Sequence, residues 1–197
     1  MKHRAPIALL ALVGCATAPN GPQVVPREAH RALVVTVGER NFHDDLFEDA
    51  DVDDQDGIGL SYEWEMGTFV WEAGFLGSKE NGHGNDPMAG SFDVDTTMTE
   101  VYLGARYPFQ VGVSPVRPFL GGGVAFIKAD FDRDSGLSDD DDSSAGIYFQ
   151  TGADWFVTDR FFLGFAYRIL VGTDIDVFGE NSDADYEQLA LRVGISF

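Results

Sequence analysis

The densest chemistry in this chain is carboxylate. In Asp130-Phe131-Asp132-Arg133-Asp134-Ser135-Gly136 the acids fall at every second position, and Asp141 is the twelfth residue counted from Asp130. Ca²⁺ takes about six to eight hard oxygen ligands, and this spacing is similar to the first half of such a ligand loop. Ser135 stands where such a loop turns on glycine, and the flanking sequence does not read as a helix pair. Divalent-cation binding at Asp130, Asp132, Asp134 and Asp141 is therefore one of two accounts. The other is a solvated, mutually repulsive surface. That second account covers the whole acidic distribution. Segment 43–56 holds eight carboxylates, 129–144 seven, 172–185 five and 77–94 three, together 23 of 33.

Acyl hydrolysis needs a nucleophilic serine with a histidine within hydrogen-bond reach. His3 and His30 lie near the start of the chain, leaving His43 and His83, with Ser78 and Ser91 near in sequence. No Gly-x-Ser-x-Gly or His-x-Ser spacing is present. The expectation is a protein that is not an enzyme and carries no cofactor, with loop histidines that are simply solvated. The single cysteine, Cys15, permits neither an internal disulfide nor a thiolate metal cluster.

Cys15 has another chemistry. Met1-Lys2-His3-Arg4 is a basic start, and Ala5 to Val13 is an apolar run too short to span a bilayer as a helix. Residues 1–15 read as an export signal. Leu12-Val13-Gly14-Cys15 resembles a bacterial lipobox, which implies lipidation of Cys15. Ala16 after the cysteine, by resemblance to lipoproteins, implies the outer membrane. The alternative is ordinary cleavage after Ala16-Thr17-Ala18, which would leave Pro19 after the cut. Residues 16–31 contain Pro19, Gly21, Pro22 and Pro26 and read as a flexible tether.

The elements that must position these groups are strands. The 197 residues are 44% hydrophobic, with 23 Gly and 16 Phe. From residue 32 to 197 the hydrophobic period is two. In Leu189 to Phe197 every odd position is large and apolar, and the even positions are Ala, Arg, Gly and Ser. Side chains on a strand alternate between faces, so one face is greasy and the other small or polar. The pattern recurs over Ile58–Met66, Phe69–Phe75, Val101–Tyr107, Phe119–Phe126, Ile147–Trp155 and Phe161–Ile169. A first strand from Leu33 to Phe42 brings the count to eight.

The charges on the small face decide which way the sheet turns. They are the acids Glu63, Glu65, Glu72, Glu100 and Asp154, and the bases Arg40, Arg106, Arg168 and Arg192. A formal charge of −20 becomes −22 once Lys2 and Arg4 are removed, yet this face is nearly balanced. Inside a narrow barrel such charges must pair, because an unpaired buried charge is very costly. Greasy outside with a small, polar interior is the pattern of a transmembrane barrel. Eight strands give a bore that side chains just fill.

Connection lengths agree. Gly67-Thr68, Pro108–Pro118 and Thr158–Arg160 are short links. They alternate with long loops at 43–56, 77–94, 129–144 and 172–185. Trp64, Trp71, Tyr107, Trp155, Phe161 and Phe197 cluster at the short-link end, as an interfacial aromatic belt would. Arg117-Pro118-Phe119-Leu120-Gly121-Gly122-Gly123-Val124 is similar to the Pro-aromatic-x-Gly-x-Gly strand of the small eight-stranded outer-membrane barrels of the OmpA and OmpX kind. Terminal Phe197 resembles the signal read by the barrel-insertion machinery in that family. The resemblance covers residues 32–197 and implies an all-β, up-and-down antiparallel transmembrane barrel. It also implies a location in the outer membrane of a Gram-negative bacterium.

The expected partners are outer-membrane lipid, the insertion machinery and divalent cations at the acidic loops. Nucleic acid is not expected, since its affinity comes from neutralised phosphates. The expected role is structural or surface-interactive, without a large pore. Two alternatives stay open: a lipid-tethered soluble lipocalin-like carrier, whose greasy face would turn inward, and a barrel-type lipid hydrolase.

Overall fold

A computed structural model describes residues 31–42, 54–86, 90–112, 114–133, 140–177 and 180–197. The period of two produces strands throughout. These are β1 (Arg31–Phe42), β2 (Asp54–Met66), β3 (Phe69–Asp86), β4 (Gly90–Pro108), β5 (Val116–Arg133), β6 (Asp140–Phe156), β7 (Phe161–Val171), β8 (Ile175–Val177), β9 (Glu180–Ser182) and β10 (Tyr186–Ser196). Eight of them close a barrel in the order β1-β10-β7-β6-β5-β4-β3-β2, and β8 and β9 form a separate hairpin. Every barrel pairing is antiparallel. The last strand pairs the first, from Ala32↔Ser196 to Phe42↔Tyr186, so no edge is left open. The eight-stranded all-β barrel read from the alternation is the observed fold.

The greasy face points outward. Leu191 is 69% exposed, Phe126 63% and Ile58 61%, whereas their neighbours Arg192, Ala125 and Gly57 are buried. This outward series is a band with a sharp upper edge. On β1 it passes from Val37 to Glu39, on β2 from Ile58 to Asp56, and on β5 from Phe126 to Lys128. On β10 it passes from Leu189 to Glu187. A soluble carrier needs the opposite arrangement, so the lipocalin-like alternative does not describe this sheet.

Inside, glycines make room for large side chains. A Cβ on Gly104 would lie 2.0 Å from Tyr148 Oη, and one on Gly194 would lie 2.0 Å from Phe162 Cζ. At the short-link end, Gly67 takes φ 69° as the first residue of the two-residue turn between Met66 and Phe69.

Two expected loops are not loops. β3 and β4 pair out to Asp86↔Gly90, and β5 and β6 pair out to Phe131↔Asp140. Segments 77–94 and 129–144 are thus largely barrel wall continuing past the greasy band. Beyond that band the ladder needs no apolar face, so the alternation that marks strands vanishes while the backbone hydrogen bonds persist. Segment 172–185 also carries structure. Gly172 N and Thr173 N donate to the Asp185 carboxylate at 3.1 and 2.9 Å, and the β8–β9 hairpin follows. Buried Ile175 and Ala184 join the cluster of Phe42, Leu170 and Tyr186, closing this end of the barrel.

Candidate functional site

Three tiers of polar side chains fill the bore. Nearest the short links, Glu63 and Asp154 meet Arg106 and Arg192. Arg106 Nη1 contacts Asp154 Oδ2 at 2.6 Å and its Nη2 bonds Glu63, while Arg192 Nη2 reaches Glu63 Oε1 at 2.5 Å. Arg192 Nε lies 3.3 Å from Asp154 Oδ1. Both guanidiniums also lie over the Phe119 ring, at 4.7 and 4.9 Å. This is a neutral four-charge ring contributed by β2, β4, β6 and β10.

In the middle sits Glu72. Tyr148 Oη donates to Glu72 Oε1 at 2.7 Å, and Gln150 Nε2 donates to the same oxygen. None of the described ion pairs includes Glu72. At the hairpin end Glu100 collects Arg40 at 3.2 Å, Arg168, and the Tyr186 hydroxyl at 2.5 Å. The Arg168 guanidinium lies 3.7 and 4.4 Å from the centroids of Tyr148 and Tyr102, whose rings meet edge-on. Arg40 Nη1 also donates to Ser78 Oγ at 3.4 Å, and Ser78 Oγ donates to Gln55 at 2.7 Å.

All nine expected network residues face inward. Eight are buried, and Glu65 is the partly exposed member at the short-link mouth. Glu65 pairs at 3.3 Å with Arg117, whose guanidinium lies 4.7 Å from the Phe156 ring. Arg117 completes the balance at five acids and five bases. It was legible in the sequence only as part of the Arg117–Val124 motif. The hydrogen-bond partners Gln55, Ser78, Gln150 and Tyr186 were missed as well; each occupies an inward position on its strand, which was the available signal.

Ser78 is held by Arg40 and Gln55. His43 lies outside the described residues, and His83 is on β3 near the far end of the β3–β4 hairpin. Two interior cavities, of about 30 and about 20 Å³, interrupt the packing. Each has room for a water or two. There is no through-going bore among the described residues.

The aromatic belt lies outside, at the short-link end. Trp64 pairs across β2–β3 with Trp71 and stacks on Tyr62 at 5.7 Å. Tyr62 is 6.5 Å from Phe197, and Tyr107 meets Phe69 and Phe109 edge-on at 5.9 and 5.1 Å. Trp155 and Phe161 flank the β6–β7 turn.

At the hairpin end, Asp130 and Asp141 are cross-strand neighbours. Lys128 Nζ contacts Asp130 and also Asp141, the latter at 3.1 Å. Hydrogen bonds to Asp130 and then Asp141 hold the Lys128 ammonium above the ordinary lysine range. Asp132 lies opposite Asp95 on the β4–β5 ladder. Asp134 and Cys15 lie outside the described residues, as do the signal 1–15 and most of the tether 16–31. Among the described residues no group of three His, Cys, Asp or Glu side chains is disposed to hold a metal ion.

The sequence matches, over residues 7–197, a family model described as an outer membrane protein beta-barrel domain. Among curated proteins none is a sequence match. Solved structures with the same fold include the outer membrane protein OprG from Pseudomonas aeruginosa. It is 15% identical over 86% of this chain and 96% of that one, with a TM-score of 0.64. Neisserial surface protein A is 18% identical over 86% of this chain and 97% of its own, with a TM-score of 0.57. The attachment invasion locus protein Ail of Yersinia pestis, solved with the heparin analogue sucrose octasulfate, is 15% identical over 86% and 99%, also at 0.57. At these identities the likeness is one of fold.

Proposed function

This chain belongs to the family of outer membrane protein beta-barrel domains, and from that premise we propose that it is a sealed, non-catalytic barrel that presents acidic hairpins at the cell surface. The short links and the aromatic belt face the periplasm. The long β3–β4 and β5–β6 hairpins, with the acidic segments around them, face outward, where they meet surface partners and divalent cations. Outer-membrane barrels as a class put short turns on the periplasmic side and longer loops outside.

The observation that carries this reading is the filled bore. A passive channel needs a continuous aqueous path, and here three tiers of charge-paired and hydrogen-bonded side chains fill the space between the described strands, broken by cavities of about 30 and about 20 Å³. Neutral pairing makes the seal stable, because removing one member leaves a buried charge without a partner. The test is liposome swelling in a small sugar. Vesicles carrying the barrel swell no faster than protein-free vesicles on this reading; fast swelling overturns it. Orientation is tested separately by treating whole cells with a protease that cuts after acidic residues. Cleavage confined to the hairpin-end segments supports the surface role, and complete protection contradicts it.

A further inference from the structure

The tier of Arg168 and the ring of Arg192 do not meet flush. Between them, on β10 and β7, the inward positions are Ala190 and Ala166, cross-strand neighbours whose methyl groups fill little of the bore. The gap beside them is the cavity of about 20 Å³. Gln188 and Arg192, inward on β10 to either side of Ala190, bound it. So do Arg168 on β7, opposite Gln188, and Thr36 on β1, opposite Arg192.

The residues around this gap carry donors without acceptors. Arg168 Nε, Gln188 Nε2 and Arg192 Nε have no hydrogen-bond partner, although their residues are 5%, 3% and 4% exposed. Arg192 Nε lies 3.3 Å from Asp154 Oδ1 but off the line of a hydrogen bond. Gln150, also on the wall, donates to Glu72 instead. Burying a donor unmade is costly. Three such donors on the residues of one small cavity point to a ligand that accepts from all of them.

Charge and size narrow the choice. The lining carries two guanidiniums and no carboxylate. The acids and bases of the bore cancel as a whole, but at this point the nearest charges are positive. Roughly 10–15 Å³ of such space holds one water, so the cavity admits a single-atom ion and excludes sulfate or a carboxylate. A water would bring hydrogens of its own to a wall whose free groups are already N–H. A halide accepts from every donor and brings none, and charge-assisted hydrogen bonds from two arginines hold it. We propose that the cavity beside Ala190 is a halide site, in which Arg168 Nε, Gln188 Nε2 and Arg192 Nε donate to one small monovalent anion. The ion ties the hairpin-end tier to the short-link ring, since it takes one arginine from each.

This site goes beyond the surface role and rests only on the packing of the bore, so each can fail alone. The full-length barrel is refolded from urea into detergent with sodium bromide or, at equal ionic strength, with sodium gluconate, whose anion exceeds the cavity. Crystals grown from bromide and measured at the bromine absorption edge should show an anomalous peak within hydrogen-bond reach of the three donors. The temperature at which unboiled barrel converts to the unfolded gel species should rise with bromide and level off, as binding to the folded state requires. Gln188→Met removes one donor and strands no charge, and Ala190→Val fills the gap. Each should abolish the interior peak and the bromide-dependent rise while the folded gel mobility is kept. Peaks at exposed arginines alone, an adventitious ion only, overturn the proposal. So does water density in the cavity of the bromide crystals, or a bromide-dependent rise that survives in both variants.

Discussion

At the residue scale, the molecule depends on arginines that cannot leave their partners. Arg106 holds both Glu63 and Asp154. Truncation leaves two buried carboxylates to share Arg192 alone, and removing one partner of a buried pair costs about 3–5 kcal/mol. Arg106→Ala should therefore lower the temperature at which unboiled barrel converts to the unfolded gel species. Glu39→Gln, on the outer face, should leave that temperature unchanged. A wild-type transition in Arg106→Ala would remove the ring as a stabilising element. Glycine seats are a second single-residue dependence. Gly194→Ala forces a Cβ toward the Phe162 ring, and overpacking of this kind costs about 1–3 kcal/mol. The same thermal assay should register that loss, and Phe162→Leu in the same chain should recover part of it. The network acids and arginines were legible individually, because charges that recur on the small face of alternating strands are tolerable inside a closed barrel only as pairs. Which acid meets which arginine was not legible, because pairing spans sequence separations of 38 to 129 residues that only barrel closure brings together.

At the element scale, alternation identified strands wherever one face meets apolar surroundings. It failed where the outward face leaves the apolar band, although Thr96, Met98 and Ala129 still point into the barrel. The extensions Lys79–Asp86, Gly90–Thr99 and Lys128–Arg133 are rich in Asp, Asn, Gly and Thr, residues that mark turns as readily as polar strands. The β8–β9 hairpin was hidden for a related reason: among its described side chains the buried ones are Ile175 and Ser182, with Ala184 buried just after it. Those contacts lead to a test of the closure at the hairpin end. Ile175→Asp places a charge against Leu170 and Tyr186 in the buried cluster. Accelerated amide exchange at the hairpin-side ends of β7 and β10 is expected, with the short-link end unchanged. Uniform protection in the variant would show that the hairpin merely rests on the barrel.

At the scale of the whole molecule, two charge distributions coexist. The chain carries −20 overall, while the bore balances five acids against five bases. Segregation follows from solvation. Exposed carboxylates beyond the greasy band are stabilised by water and repel other molecules, whereas interior ones persist when paired with arginine or, like Glu72, held by hydrogen bonds. The central claim is that the sheet is inside-out, with lipid against its apolar face. The most direct test is a series of nitroxide labels on outward β10 positions Glu187, Leu189, Leu191, Val193 and Ile195, in a Cys15→Ser background reconstituted in bilayers. Oxygen should quench the labels from Leu189 to Ile195 far more than a water-soluble nickel complex does, with the order reversing at Glu187. Uniform access of the nickel complex to all five would place this face in water and contradict the account.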